Sequence, residues 1–176
     1  GPFGYGWTHS LNHYLLFKDD NVNEAADAAD KNGITSSVTW VDGTGSEKYI
    51  QVSGTSAGVA VGGVFTPPKG FYFTVTRNTN GTYSLREKNG LTYTFESVTG
   101  TVGQKAKLST ITDRNGNILY LGYTGNNLTV VRDGLSRSLV LHYDANNHID
   151  DISDWSGRHF KYGYDTAGNL TSFSNP

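Results

Sequence analysis

The C-terminal half of the chain consists of short apolar runs that turn residues interrupt at regular intervals. Leu119, Leu121 and Tyr123 occupy every second position of one run, which is the spacing of side chains on one face of a β-strand. Asn115-Gly116 precedes this run and supplies a hairpin turn, because that turn needs a positive φ. The pattern predicts two short antiparallel strands and two turns per unit.

The unit recurs. Copies begin at Leu108, Leu128 and Ile149, and a fourth begins at Leu170, so the starts are 20, 21 and 21 residues apart. Corresponding positions carry the same kinds of residue, namely Asp113, Asp133 and Asp154; Asn117, Arg137 and Arg158; and Tyr123, Tyr143 and Tyr164. Gly116 and Gly157 supply turn glycines, whereas Gly134-Leu135-Ser136 lacks one at 136. One hairpin cannot bury its apolar face alone, so the units are predicted to stack into a continuous sheet.

The middle segment has the same character with less regularity. Apolar runs at 71–76, 82–85 and 91–95 flank turns at Asn80-Gly81 and Asn89-Gly90. These runs predict degenerate members of the same meander. The pattern therefore assigns 71–176 to β-hairpin repeats, clearest over 108–176.

Residues 1–70 form a less regular entry region. Trp7 to Phe17 is predicted to be a strand, and the runs 38–41 and 48–52 predict a hairpin around Asp42-Gly43. A polar, Ala-rich insert at about 19–33 is predicted to be flexible or partly helical. Ser53 to Gly63 has the composition of a loop or weak strand.

Composition favours the same fold class. The 176 residues include 22 Gly, 11 Tyr and 8 Phe, which suits short strands joined by tight turns. We predict an all-β protein, a meander of short antiparallel hairpin repeats that forms an open, curved sheet strip. A net charge of −2 without a basic run argues against nucleic acid as a partner. No apolar stretch reaches 18 residues, so no membrane span is predicted.

Cys and Met are both absent, and each absence leads to an expectation. Without Cys the chain has no disulfides and no thiolate metal sites. Without Met it is expected to be an excised segment of a larger protein. Gly1-Pro2 is compatible with a tag remnant or with native sequence.

Candidate chemistry is sparse, and each candidate has a structural alternative. His9 and His13, four residues apart, suggest a metal pair, but on a strand that spacing favours a structural pair. Asp150 and Asp151, together with the repeated Asp residues, suggest a calcium site, but capping of turns by backbone amides is the favoured interpretation. Trp155 is the candidate contact for a sugar, although such aromatic residues more often pack across strands. No catalytic residues, metal ligands or cofactors are predicted, and the chain is expected not to be an enzyme.

The repeats resemble the YD-repeat (Rhs) family. The residues that carry the resemblance are Tyr143-Asp144 and Tyr164-Asp165, the downstream Gly168-Asn169, and the turn segments 113–117 and 154–158. The opening segment 1–10 is similar to the stretch that precedes the first repeats of bacterial Rhs proteins. Gly122-Tyr123-Thr124 departs from the pattern because it lacks the Asp of the pair.

The resemblance implies a role. Rhs proteins, toxin-complex C proteins and teneurins wind a long β-sheet strip into a hollow shell, which in bacterial members encloses a C-terminal toxin. It implies that this chain is shell wall, that its partners are neighbouring repeats and that toxin domain, and that the parent protein is secreted or lies at the bacterial cell surface. The alternative is an adhesion module that binds carbohydrate or protein through exposed aromatic residues. An open strip also has unpaired edges, so self-association is expected.

Overall fold

The structure, a computed structural model, describes residues 1–6, 8–18, 37–51, 61–65, 67, 69–101 and 103–176. Strands and turns make up this part of the chain, and no helix occurs in it. All strand pairs are antiparallel, and the sheet is open. The predicted fold class is therefore confirmed. Within the same ranges there is no helix of the length and apolarity that a membrane crossing needs.

Fourteen strands are described. In chain order they are β1 Tyr14–Lys18, β2 Ser37–Val41, β3 Glu47–Gln51, β4 Val64–Phe65, β5 Phe73–Arg77, β6 Tyr83–Glu87, β7 Thr92–Phe95, β8 Lys105–Thr112, β9 Ile118–Thr124, β10 Asn127–Asp133, β11 Ser138–Tyr143, β12 Ile149–Asp154, β13 His159–Tyr164 and β14 Leu170–Ser174.

Strands β4 to β14 form an uninterrupted meander in which each strand pairs with the next. The predicted middle runs correspond to β5, β6 and β7, and the repeat units correspond to the hairpins from β8 onward. Register slips by one residue where β9–β10, β11–β12 and β13–β14 approach their turns. Such bulges increase local twist, and in β9 to β14 one occurs in every second strand pair, next to the turn.

Strand β8 belongs to two parts of the sheet. Its residues 108–112 pair with β7, while its residues 105–107 pair with β1. Strand β1 then pairs with β2, and β2 pairs with β3 in the predicted hairpin around the 42–46 turn. The N-terminal strands therefore leave the meander at β8 as a second layer.

The main core lies between this second layer and strands β5 to β8. Phe17 of β1 meets Tyr83 of β6, with ring centroids 5.1 Å apart. Trp40 of β2 meets Phe73 of β5 and Tyr93 of β7 at 5.4 and 5.7 Å. Strict alternation along these strands places one face of each layer inside. The apolar side chains of β1 and β2 thus pack against those of β5 to β7.

Strands β9 to β14 have a thinner core. Leu121, Leu128, Val131, Leu141 and Ile149 are buried, whereas no residue beyond Ile149 is buried. Phe173 of β14 is 54% exposed. Burial thus declines toward the last strand.

The first residues of the chain cross the turns at one end of these C-terminal hairpins. The Ile149 amide donates to the Pro2 carbonyl at 2.7 Å, and the Tyr5 amide donates to the Gly168 carbonyl at 3.2 Å. The Phe3 ring packs against Tyr162, with centroids 5.0 Å apart. We call residues 1–6 the N-terminal strap.

One predicted strand was placed wrongly. The strand expected from Trp7 to Phe17 begins only at Tyr14 and ends at Lys18, and residues 8–13 form turns and loop. The physical reason is local bonding: the Asn12 amide donates to the His9 carbonyl and the His13 amide to the Leu11 carbonyl, so this backbone turns. The insert at about 19–33 and most of 53–63 lie outside the described residues.

Candidate functional site

The repeated Asp residues all begin a five-residue turn of one construction. One carboxylate oxygen accepts the amides two and four residues later, as Asp113 Oδ1 does from Asn115 at 2.8 Å and from Asn117 at 2.9 Å. The same pair of bonds is made by Asp42, Asp133, Asp144, Asp154 and Asp165. The repeated carboxylate therefore holds the turn backbone closed.

The second oxygen of most of these carboxylates is held by the side chain four residues later. Asn117 Nδ2 donates to Asp113 at 2.7 Å, and Asn169 Nδ2 donates to Asp165 at 2.9 Å. Arg137 and Arg158 each donate through Nε at 2.7 Å to Asp133 and Asp154. Hydrogen bonds to the charged form favour it, so the pKa of each of these carboxyl groups is lowered.

The fourth turn position takes a left-handed conformation in every copy. Gly116, Gly157 and Gly168 have φ between 81° and 87°. Ser136, where the sequence lacks the turn glycine, has a φ of 67°, and Asn147 has a φ of 64°. The irregular copy therefore keeps the common turn, although Ser136 makes the left-handed conformation more costly than a glycine would.

Two of the three repeated tyrosines bridge the joints between hairpins. Tyr143 Oη donates to the Leu128 carbonyl at 2.8 Å, and Tyr164 Oη donates to the Ile149 carbonyl at 2.7 Å. The β10–β11 and β12–β13 ladders stop at Val130 and Asp151, before these carbonyls are reached. Each hydroxyl thus supplies the hydrogen bond that the adjacent strand does not.

Burial raises the pKa of Tyr123 and Tyr143, and it raises that of Tyr164 to about 12. The Tyr143 and Tyr164 hydroxyls therefore stay protonated at neutral pH and remain donors. The two motif residues therefore stabilise neighbouring parts of one joint. Asp144 caps the turn that follows it, and Tyr143 bonds the Leu128 carbonyl where the β10–β11 ladder has ended.

The other candidates from the sequence do not gather into one site. Trp155 stands at the tip of the β12–β13 turn and is 63% exposed. His9 lies against Phe3, while His13 stacks on Trp40 at 5.8 Å, so the two imidazoles pack on different rings. Asp151 contacts His159 at 2.8 Å, whereas Asp154 caps a turn. In the described ranges no three His, Asp or Glu side chains are placed to hold a metal ion.

A wide concavity lies elsewhere, where the second layer opens beside β5 to β7. It has a volume of about 860 Å³. Its floor consists of Trp40, Phe73 and Tyr93, and its rim carries Phe71 and Tyr72, which are 43% and 72% exposed. We call this cleft the aromatic groove.

Polar groups of four strands, two turns and the loop before β1 converge on the aromatic groove. Trp40 Nε1 donates to His13 Nδ1 at 3.3 Å, so the neutral imidazole carries its proton on Nε2. Burial lowers the pKa of His13, which keeps that ring neutral. Burial, and then the charges of Glu87 and Asp42, raise the pKa of Tyr93. The Tyr93 hydroxyl makes no hydrogen bond to any described residue.

Sequence reasoning did not find this groove. Its residues come from the loop before β1, from β2, β3, β5, β6 and β7, and from the turns after β2 and β6, which carry no shared motif. The available signal was Trp40 beside Asp42, an aromatic residue directly before a turn. The groove exists only because β1 to β3 fold over β5 to β7.

Neither a protein-family model nor a curated protein matches this chain in the searches made. The resemblance to YD-repeat proteins therefore rests on the motif residues and stays a prediction.

Proposed function

We propose that this chain is a structural segment of a YD-repeat (Rhs) shell, the wall of a larger secreted or cell-surface protein that encloses a C-terminal toxin. The observation that carries the proposal is the repeated joint. A capping Asp and a bridging Tyr recur together in successive hairpins, and each pair maintains the backbone of the sheet.

The chemistry of the motif supports a structural role. The carboxylates of Asp144 and Asp165 each accept two backbone amides, and the tyrosine hydroxyls donate to backbone carbonyls. Groups used in this way hold the chain in register and extend a sheet by one hairpin at a time. A wall of any length can be built from such a unit.

The free edge of the last strand supports extension as well. Strand β14 pairs with β13 and with no other described strand, and its Phe173 is largely exposed. A further hairpin would pair with this edge and cover Phe173 and Tyr162. In the chain as given, the same edge favours self-association, which stays a prediction.

The unit can be tested by duplication. A second copy of residues 149–169 inserted after Asn169 preserves the register, because Leu170 then follows the copy as it follows the original. We expect one cooperative urea transition with a larger m-value, since more surface is buried on folding. The control insert carries Ala at the positions of Asp154, Tyr164 and Asp165. If both inserts remain unfolded and sensitive to protease, an added hairpin does not extend the sheet, and the proposed repeat unit is wrong.

A test of the shell role requires the complete reading frame that encodes this chain. We expect further copies of the unit, then a distinct C-terminal domain that resists protease in the intact protein. Deletion of residues 1–176 should make that domain accessible. A frame without further repeats would contradict the proposal, as would turnover by this chain in a hydrolase panel that depends on one named side chain.

A further inference from the structure

The aromatic groove combines an apolar floor with polar side chains, of which Glu87 and Tyr93 retain hydrogen-bonding capacity. Trp40 and Tyr93 are only 4% and 8% exposed, so they offer ring edges, while Phe71 and Tyr72 stand out at the rim. The volume of about 860 Å³ lies within the range of sites for small organic ligands. The chemistry of its lining restricts what such a ligand can be.

A cationic ligand is disfavoured because ammonium groups of this chain already cover the aromatic faces. Lys48 Nζ lies 4.6 Å from the Trp40 ring centroid, and Lys88 Nζ lies 5.3 Å from that of Tyr72. A second cation would be repelled by both and would have to displace them.

An anionic ligand is disfavoured for the opposite reason. The ammonium of Lys48 forms an ion pair with Asp42, so its charge is compensated within the chain. Glu87 also lines the groove and places a further carboxylate beside any ligand there. Two acidic and two basic side chains leave the groove without a net charge to attract either sign.

A wholly apolar ligand would exclude water from polar groups without replacing it. Glu87 receives one bond, from Asn89 Nδ2 at 3.1 Å to Oε2, which leaves Oε1 as an acceptor. The Tyr93 hydroxyl, which has no hydrogen-bond partner among the described residues, adds a group that can both donate and accept. Burying such groups without partners costs about 1–3 kcal/mol each.

We propose that the aromatic groove binds a neutral oligosaccharide chain. A sugar ring presents C–H groups on one face and hydroxyl groups around its edge. The C–H face would lie on Phe71 and on the face of Tyr72 opposite Lys88, and the hydroxyl groups would bond Glu87 and Tyr93. This binding site is independent of the shell role, and it differs from the contact at Trp155 that the sequence suggests.

The test is calorimetric titration of the chain with neutral hexasaccharides of glucose, galactose and N-acetylglucosamine. A hexamer of galacturonate and one of glucosamine serve as the anionic and cationic probes. We expect at least one neutral probe to bind with a dissociation constant of about 10 µM to 1 mM, and the charged probes to bind about tenfold more weakly or worse.

Two variants assign the site. Tyr72→Ala and Glu87→Gln should each weaken binding about tenfold or more. Tyr120→Ala is the matched control, because Tyr120 is also an exposed tyrosine and has a cation, Arg132, 5.5 Å from its ring centroid. Thermal unfolding of each variant shows whether its fold is retained.

Three results would overturn the proposal. They are the absence of binding to every neutral probe at about 10 mM, tighter binding of a charged probe than of a neutral one, and affinity that Trp155→Ala abolishes while Tyr72→Ala and Glu87→Gln leave it unchanged.

Discussion

The strands before and after β8 share one alternating pattern, yet they bury their apolar faces in different ways. Strands β5 to β8 are covered by β1 to β3, so Phe17, Tyr83 and Leu85 are fully buried. Strands β9 to β14 have no second layer of strands among the described residues, and only the N-terminal strap crosses their far end. The repeats are therefore held more by turns and joints than by a deep core.

This difference separates two sources of stability. A covered layer gains from apolar area removed from water, which is the larger contribution per residue. An uncovered hairpin array gains from hydrogen bonds at each turn and from pairing with its neighbours, and each contribution is small. Substitutions should therefore be far more costly before β8 than after β9.

The largest expected effect is at the covered layer. Phe17→Ala leaves a cavity against Tyr83 and should lower the free energy of unfolding by about 3–5 kcal/mol. Phe173→Ala, in the exposed last strand, should lower it by less than about 1 kcal/mol. Urea unfolding followed by circular dichroism measures both. Equal losses at the two positions would mean that the two halves are not stabilised differently.

The next effect tests the N-terminal strap. Gly4 has a φ of 88°, and a Cβ there would lie 2.5 Å from the Gly168 carbonyl oxygen. Gly6 has a φ of 76° with no atom within 4 Å of such a Cβ. Each Ala substitution should lower the free energy of unfolding by about 1–2 kcal/mol because of the left-handed backbone. Gly4→Ala should lower it further, because the added Cβ also pushes the strap away from Gly168.

Hydrogen exchange separates the two contributions. The Tyr5 amide, which donates to the Gly168 carbonyl, should lose protection in Gly4→Ala and keep it in Gly6→Ala. Protection retained in both variants would show that the strap does not bind the last hairpins in the way described.

A smaller effect is expected at the irregular turn. Ser136→Gly removes the cost of a left-handed conformation on a side chain and should raise the free energy of unfolding by about 0.5–1 kcal/mol. Gly116→Ser makes the reverse change in a turn where nothing crowds the added atom, and it should lower stability by a similar amount. The reciprocal pair is checked by urea unfolding, and changes of the same sign would contradict the common turn.

The smallest effect per residue is expected from acid. The side chains of Asn117, Ser156 and Asn169 donate to Asp113, Asp154 and Asp165 and hold the pKa of these carboxyl groups below the ordinary value. A carboxyl group whose folded pKa is depressed adds stability above its unfolded pKa of about 3.9, and this is lost as pH falls through the folded value.

The urea concentration at the midpoint of unfolding should therefore decrease as the pH is lowered from about 5 to about 2. Asp154→Asn should reduce that fall, because the amide cannot titrate. The same dependence in wild type and Asp154→Asn would show that this turn carboxylate does not contribute to it.

How much the sequence predicted depended on how local the information was. Hairpins from β5 onward were predicted because alternation and turn residues lie within about 20 residues of each other. The strand predicted from Trp7 began at Tyr14, because apolar residues of a loop that packs on a core resemble a strand in pattern. Leu11, for example, packs against the core from outside any strand.

Long-range placement could not be predicted. Nothing in the run 14–18 indicates that it pairs with 105–107 of β8, since any half-apolar strand edge offers the same backbone groups. The aromatic groove followed the same rule: Trp40 and Tyr93 are ordinary core residues until the second layer positions them beside each other. The motif residues were predictable because their partners lie in the same unit.

The contacts of the N-terminal strap have a consequence for the order in which the chain folds. Each hairpin after β8 joins residues close in sequence, so it can form as soon as its own strands exist. Pro2 and Tyr5, by contrast, bond Ile149 and Gly168, which lie at the other end of the chain. The strap can therefore dock only after residues 149–168 have been synthesised and have formed their hairpins, so protection of the strap amides reports that these hairpins are in place.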